Sequence, residues 1–120
     1  MSAKKIIQDF YKSDAFINPA TMEKFLHKNL KIEWNITKGF IKLDKISALE
    51  LSKQMSVAYI SSKINISNII QKADMVSVRY SHYVKSVENP SEEMLLAHFM
   101  AIWKVKDKKL FKAWQMSQLS

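Results

Sequence analysis

Apolar positions recur along this chain first at a helical period and then at a period of two. From Ala3 to Asp14, the residues Ile6, Ile7, Phe10 and Tyr11 fall on one stripe of a repeat of about 3.6 residues, which predicts an amphipathic helix. The run INPATMEKFLH announces a second helix. Asn18 is placed to accept from the free amides of its first turn, Pro19 suits the first helical position, and Met22, Phe25 and Leu26 form its apolar face. At LKIEWNI the period changes, with Leu30, Ile32, Trp34 and Ile36 on one side and Lys31, Glu33 and Asn35 on the other. Thr37-Lys38-Gly39 carries the chain's one glycine and predicts a turn, from which Phe40 to Leu43 return as a short paired strand. A third helix is expected from a cap at Asp44 to about Ser61, with Ala48, Leu51, Met55, Ala58 and Tyr59 on its stripe.

From Lys63 onward only strand patterns remain. Ile64, Ile66 and Ile70 mark the first, and Lys72-Ala73-Asp74 the reversal into VSVRYSHYVKS, where Val76, Val78, Tyr80, His82 and Val84 share a face. After the polar run VENPSEE, a strand spans Met94 to Lys106, and the KDKK turn leads into LFKAWQMS. Lys104 and Lys106 beside that turn must be wet, so Ala97, Phe99, Ala101, Trp103 and Val105 face inward. The same parity turns Phe111, Ala113, Gln115 and Ser117 inward on the last strand. Three helices in the N-terminal half, one hairpin and four further antiparallel strands predict an α+β fold, with the helices on one face of a mostly antiparallel sheet.

Composition narrows the class. A length of 120 residues suits one domain, 1–120, and 48% hydrophobic with 25% charged residues excludes a disordered chain. The absence of cysteine removes disulfides, thiol catalysis and cysteine-ligated metal, and agrees with a reducing compartment. The N-terminus MSAKKIIQDFYKSD is too polar for a signal peptide, and no apolar run approaches the ~20 residues of a membrane span. A cytoplasmic location without a membrane partner is therefore expected. The net charge of +8 invites nucleic acid, yet 18 of the 19 basic residues are scattered lysines and Arg79 is the one arginine. Arginine is the preferred group for bidentate phosphate and base contacts, so no nucleic-acid partner is expected.

The inward face holds the candidate chemistry. Phe10, Trp34, Tyr59, Tyr80, His82, Phe99, Trp103 and Gln115 would line a largely aromatic pocket for a small hydrophobic molecule. Among them His82 alone titrates near neutral pH, which makes it the candidate catalytic acid or base; a core histidine satisfied by a neighbour is the competing reading. His27, His82 and His98 sit on different elements without ligand spacing, so neither a metal nor another cofactor is expected. The outer sheet face would show His98, Met100, Ile102, Trp114 and Met116, an apolar patch that a second copy of the chain would cover in a homodimer.

The order of elements, Trp34 in the first strand and the hairpin WKVKDKKLFKAWQMS resemble the SnoaL-like branch of the nuclear transport factor 2-like superfamily, over essentially the whole chain. The resemblance implies a cone, in which a curved sheet wraps three helices around a pocket and dimers often form through the outer sheet face. The superfamily includes ketosteroid isomerases, polyketide cyclases, dehydratases and binding domains. By this resemblance the isomerase base falls on Trp34, its tyrosine on Phe10, and its aspartic acid on Ala101 or Met100, and none of these can do that work. Tyr11 is one residue from the tyrosine position but about 100° around the helix. The His-Trp-Asp run of the cyclases reads Ala113-Trp114-Gln115 here, and the usual Asp-Gly turn reads Asp107-Lys108. The leading expectation is a binding protein for a small hydrophobic molecule. Its alternatives are a lyase, isomerase or hydrolase using His82 with Tyr80 or Gln115, and a protein-interaction module using the outer sheet face.

Overall fold

The computed structural model describes residues 2–120. Helix α1 (Ala3–Lys12) begins where the Ser2 hydroxyl accepts from the Lys5 amide, and it buries Ile6, Ile7, Phe10 and Tyr11. A 3₁₀ turn, Ala15–Ile17, separates it from α2 (Pro19–Phe25). Asn18 caps α2 as expected, accepting from the amides of Ala20 and Thr21. Strands β1 (Leu26–Ile36) and β2 (Gly39–Leu43) form the hairpin, and α3 (Lys45–Ala58) follows. Asp44 and Ser47 close a reciprocal capping box at the start of α3. Strands β3 (Tyr59–Lys72), β4 (Met75–Ser86), β5 (Glu93–Lys106) and β6 (Lys109–Leu119) complete the chain.

The six strands lie in the order β2-β1-β6-β5-β4-β3, antiparallel except for the β1–β6 pair. The helices cover one face, with α1 against β3 and β4, and α3 against α2 and β1. The predicted α+β architecture is thus present. No helix among the described residues is long and apolar enough to cross a membrane.

Several local expectations fail for one reason: pairing with a neighbouring strand overrides the local period. The second helix stops at Phe25, and Leu26 and His27 already belong to β1. The third stops at Ala58, because Tyr59 and Ser61 pair with Ser86 and Lys85 of β4. A bulge at Ser67 in β3 then reverses the parity, so that Ile69 packs on the core with Ile64 and Ile66 while Ile70 is exposed. In β6 the bulge falls on Phe111. Leu110 takes the buried position opposite Val105, and Phe111 packs against the His27 ring instead. The hairpin turn keeps its tight geometry without glycine, since Asp107 and Lys108 both adopt positive φ, the requirement of a type I′ turn. Gly39, by contrast, has no positive φ and sits within β2.

Candidate functional site

Between the helices and the covered sheet face lies a cavity of about 500 Å³. Strand alternation supplies most of its wall: Ile32 and Trp34 from β1, Tyr80 and His82 from β4, Phe99 and Trp103 from β5, Gln115 and Ser117 from β6. Phe10 of α1, Met22 of α2, and Ala48, Leu51 and Met55 of α3 close the other side. The exposed turn residues Thr37 and Lys38 lie at the rim, and no Asp or Glu among the described residues lines the cavity.

The aromatic side chains hold one another in place. Tyr80 and Phe99, partners across β4 and β5, stack with centroids 4.8 Å apart and planes 6° from parallel. Phe10 meets Trp103 edge-on at 6.0 Å, and Trp34 lies 5.9 Å from Phe99. Such pairs add about 0.5–1.5 kcal/mol each beyond the area they bury, so the wall is stiff as well as apolar.

Most polar groups of this wall already have partners. The Trp103 indole N–H donates to the Tyr11 hydroxyl at 2.8 Å, and Tyr80 shares that hydroxyl. Burial pushes the pKa of both tyrosines well up, so both stay protonated. Ser52 donates to the Ala15 carbonyl at 2.6 Å, and the Trp34 indole N–H donates to Ser117 Oγ at 2.8 Å. Gln115 differs. It lines the cavity and its amide is open to it, since no enclosed side-chain polar atom among the described residues lacks a partner.

His82 is both a satisfied core residue and part of the cavity wall. It is buried, with its Nε2 2.7 Å from the Ser62 hydroxyl and its ring 5.1 Å from that of Phe16. Desolvation lowers its pKa to about 4, so the imidazole is uncharged at neutral pH.

Of the eight residues expected to line a pocket, seven surround this one cavity and Tyr59 does not. Its place at the start of β3, rather than on α3, takes it out of the wall. The expected interface residues lie on the opposite sheet face: Met100, Ile102, Trp114 and Met116 are exposed, and His98 bonds Ser81 at 2.9 Å. The three histidines stand apart, and no group of His, Cys, Asp or Glu among the described residues is arranged to hold a metal. Sequence reasoning missed Phe16 and Leu96, which also line the cavity. Phe16 sits in the 3₁₀ turn, which has no repeat to read, and Leu96 is the bulged residue between the His82–Ala97 and Tyr83–Leu95 pairs.

No family model and no curated protein sequence matches the chain. Solved structures do. IdmH from Streptomyces antibioticus, a candidate polyketide cyclase, superposes with a TM-score of 0.74 at 15% identity, covering 98% of this chain and 92% of that one. A candidate SnoaL-like polyketide cyclase from Jannaschia superposes at 0.70 with 6% identity, covering 96% and 84%. The chain has the SnoaL-like, nuclear transport factor 2-like fold. An LEH-like epoxide hydrolase from Mycobacterium tuberculosis shares the cone too, at 0.71 and 14% identity over 96% and 81% of the two chains. Identities this low carry the fold and no activity. Within this cone, Trp34 and Phe10 line the cavity where the resemblance puts the isomerase base and tyrosine, and Ala101 is buried in the sheet. Of Ala113-Trp114-Gln115, Gln115 faces the cavity and Trp114 the outside.

Proposed function

We propose that this chain binds a small, apolar, uncharged organic molecule between the sheet and the helices. One observation carries the reading: the roughly 500 Å³ cavity has an aromatic and aliphatic wall, with the Gln115 amide open to it. An amide open to the cavity gives a ligand group or water both donors and an acceptor to bond. The volume lies within the range of small-molecule sites. Fluorene is a suitable first probe, being rigid, apolar and uncharged. Saturable quenching of tryptophan emission and a rise in Tm are expected, with the affinity reduced at least tenfold in Ala97→Phe, which narrows the cavity. No quenching and no Tm shift up to the solubility limit overturn the reading.

A second reading, proton transfer by His82, is favoured by its place in the wall with Nδ1 free of any partner among the described residues. Activated carbonyl compounds in the same assay test it. Turnover that disappears in His82→Gln supports it, and unchanged spectra in both proteins count against it.

We further propose that the outer sheet face pairs with a second copy of the chain. Strand register sets two transverse rows on that face: Lys42, Glu33, Trp114, Ile102, Ser77 and Ile70 in one, and Phe40, Asn35, Met116, Met100, Arg79 and Asn68 in the next. The apolar centre lies on β5 and β6, with Glu33 on β1 at one side and Arg79 on β4 at the other. A two-fold axis running along the strands exchanges β1 with β4, which brings the strand that carries Glu33 in one copy over the strand that carries Arg79 in the other. Beyond the rows, Lys31, Lys112, Lys104 and Lys72 form a wet border. Full burial of Met100, Ile102, Trp114 and Met116 is worth about 1.5–3 kcal/mol each. Light scattering is expected to return twice the 14.0 kDa chain mass at micromolar concentration. Trp114→Glu is expected to return a monomer. A wild-type monomer at all accessible concentrations overturns the pairing and favours an interaction module for a different protein.

A further inference from the structure

We infer that the end of the sheet at the β5–β6 turn docks on the phosphate backbone of nucleic acid without reading its sequence. The cavity takes no part in this. Strand β6 runs from Lys109 at that end to Leu119 at the cavity rim, roughly 30 Å along the strand.

Lysines that lie far apart along the chain are collected at this end by strand register. Lys31 pairs with Lys112 across β1 and β6, and Lys112 with Lys104 across β6 and β5. Met75 of β4 pairs with Lys104, and Lys72 with Met75, which carries the row to the edge strand β3. With neighbouring strands about 4.8 Å apart, the row spans roughly 19 Å. One step nearer the turn, Lys106 pairs with Lys109. Three of these ammonium groups are also held in place. The Phe111 ring, pushed out by its bulge, lies 4.9 Å from Lys106 Nζ and 5.3 Å from Lys112 Nζ, and Lys109 Nζ donates to the Lys24 carbonyl in the last turn of α2.

The chain does not neutralise this charge. Among the described residues no ion pair joins Lys31, Lys72, Lys104, Lys106, Lys109 or Lys112 to a carboxylate. Asp107 in the turn faces His27 Nε2 at 3.3 Å instead. Like charges directly opposite one another on neighbouring strands cost stability, and a polyanion laid along the row removes that cost while releasing its own counterions. Lysine is a compact point charge without the planar fork that reads base edges, so the contact is to phosphate and indifferent to sequence. Arg79, the one arginine, stands apart on β4 and donates to Ser67. A lipid surface fits less well, because Met75 and Phe111 are half-buried and offer no exposed apolar side chain to insert beneath the headgroups. Pairing of two copies about an axis along the strands would set both basic ends side by side, but the inference does not require it.

Fluorescence anisotropy of a labelled DNA duplex of about 20 base pairs, titrated with the full chain at about 50 mM salt, tests the inference. Micromolar binding is expected, equal for two duplexes of unrelated sequence and weakening as salt is raised. Lys104→Gln, Lys106→Gln and Lys112→Gln together are expected to weaken it at least about tenfold and to lower the salt slope by about two to three, with Tm kept. The same three residues changed to Arg keep the charge and are expected to preserve binding. Lys53→Gln, Lys63→Gln and Lys85→Gln together remove equal charge away from the row, and a loss below about threefold is expected. Equal weakening by the two Gln triples overturns the inference, since net charge alone would then account for the binding. Absence of duplex binding at this salt also overturns it. So does duplex binding that survives the first triple while binding to vesicles of about 30% phosphatidylserine is lost, which assigns the basic end to a membrane surface.

Discussion

Acidification from pH 7 to pH 4 is expected to remove about 3 kcal/mol of stability through His82 alone. The folded state holds its pKa at about 4, against 6.5 for an unperturbed histidine. Between those values the unfolded chain binds a proton that the folded chain does not, so stability falls as pH falls, and the loss levels off below pH 4. A difference of roughly 2.5 units at about 1.4 kcal/mol per unit sets the size. The cause is local: Phe16 and Phe99 face the ring, Ser62 bonds it, and no charge offsets the desolvation of an imidazolium. Asp14 and Asp44, whose pKa values are lowered by hydrogen bonds from Asn18 and Ser47, add their own acid sensitivity only below about 3.8, outside this window. Urea denaturation at pH 7, 5.5 and 4 measures the effect. His82→Gln keeps a hydrogen-bonding group for Ser62 but cannot titrate, and it should flatten the profile. An equally steep profile in the variant would assign the acid sensitivity to other groups.

Trp103→Ala is expected to cost about 3–5 kcal/mol, the largest loss of any single change in the wall. Trp103 is buried, packs edge-on against Phe10 and donates to Tyr11, so its removal leaves a hole and takes away a buried donor together. Met55→Ala offers the contrast. That side chain is half-buried on α3 and faces open space in the cavity, and a group lining a void has few partner atoms to lose there. Its loss is expected to stay near or below about 1 kcal/mol. Chemical denaturation of both variants checks the pair, and similar losses would mean that Met55 is packed as tightly as Trp103.

Much of this architecture is legible in periodicity. The alternation of Val76, Val78, Tyr80, His82 and Val84 assigns the inner face of β4, and every one of those residues is buried. Parity counted back from Lys104 and Lys106 likewise assigns Phe99 and Trp103 to the inside. Those readings succeed because β4 and the inner part of β5 run without a bulge over the residues concerned. Phe111 fails, and Ile70 leaves the face of Ile64 and Ile66, because one extra residue, Phe111 itself or Ser67, reverses all that follows up to the next reference point. Tyr59 fails because an apolar residue at a helix end also fits the first position of a strand.

The chain's own pattern determined which side chains share a face, since that depends only on the backbone period of each element. The same pattern placed the caps at Asn18 and Asp44, because a cap acts within its own first turn. Tertiary structure decided which polar groups are satisfied. Trp34 reaches Ser117 across 83 residues of sequence and Trp103 reaches Tyr11 across 92, while Gln115, on the same inner face, finds no protein partner among the described residues. No local period encodes that difference. It follows from the register of β1 on β6 and from the packing of α1 against the sheet, which bring together residues distant in sequence and leave the Gln115 amide open to the cavity.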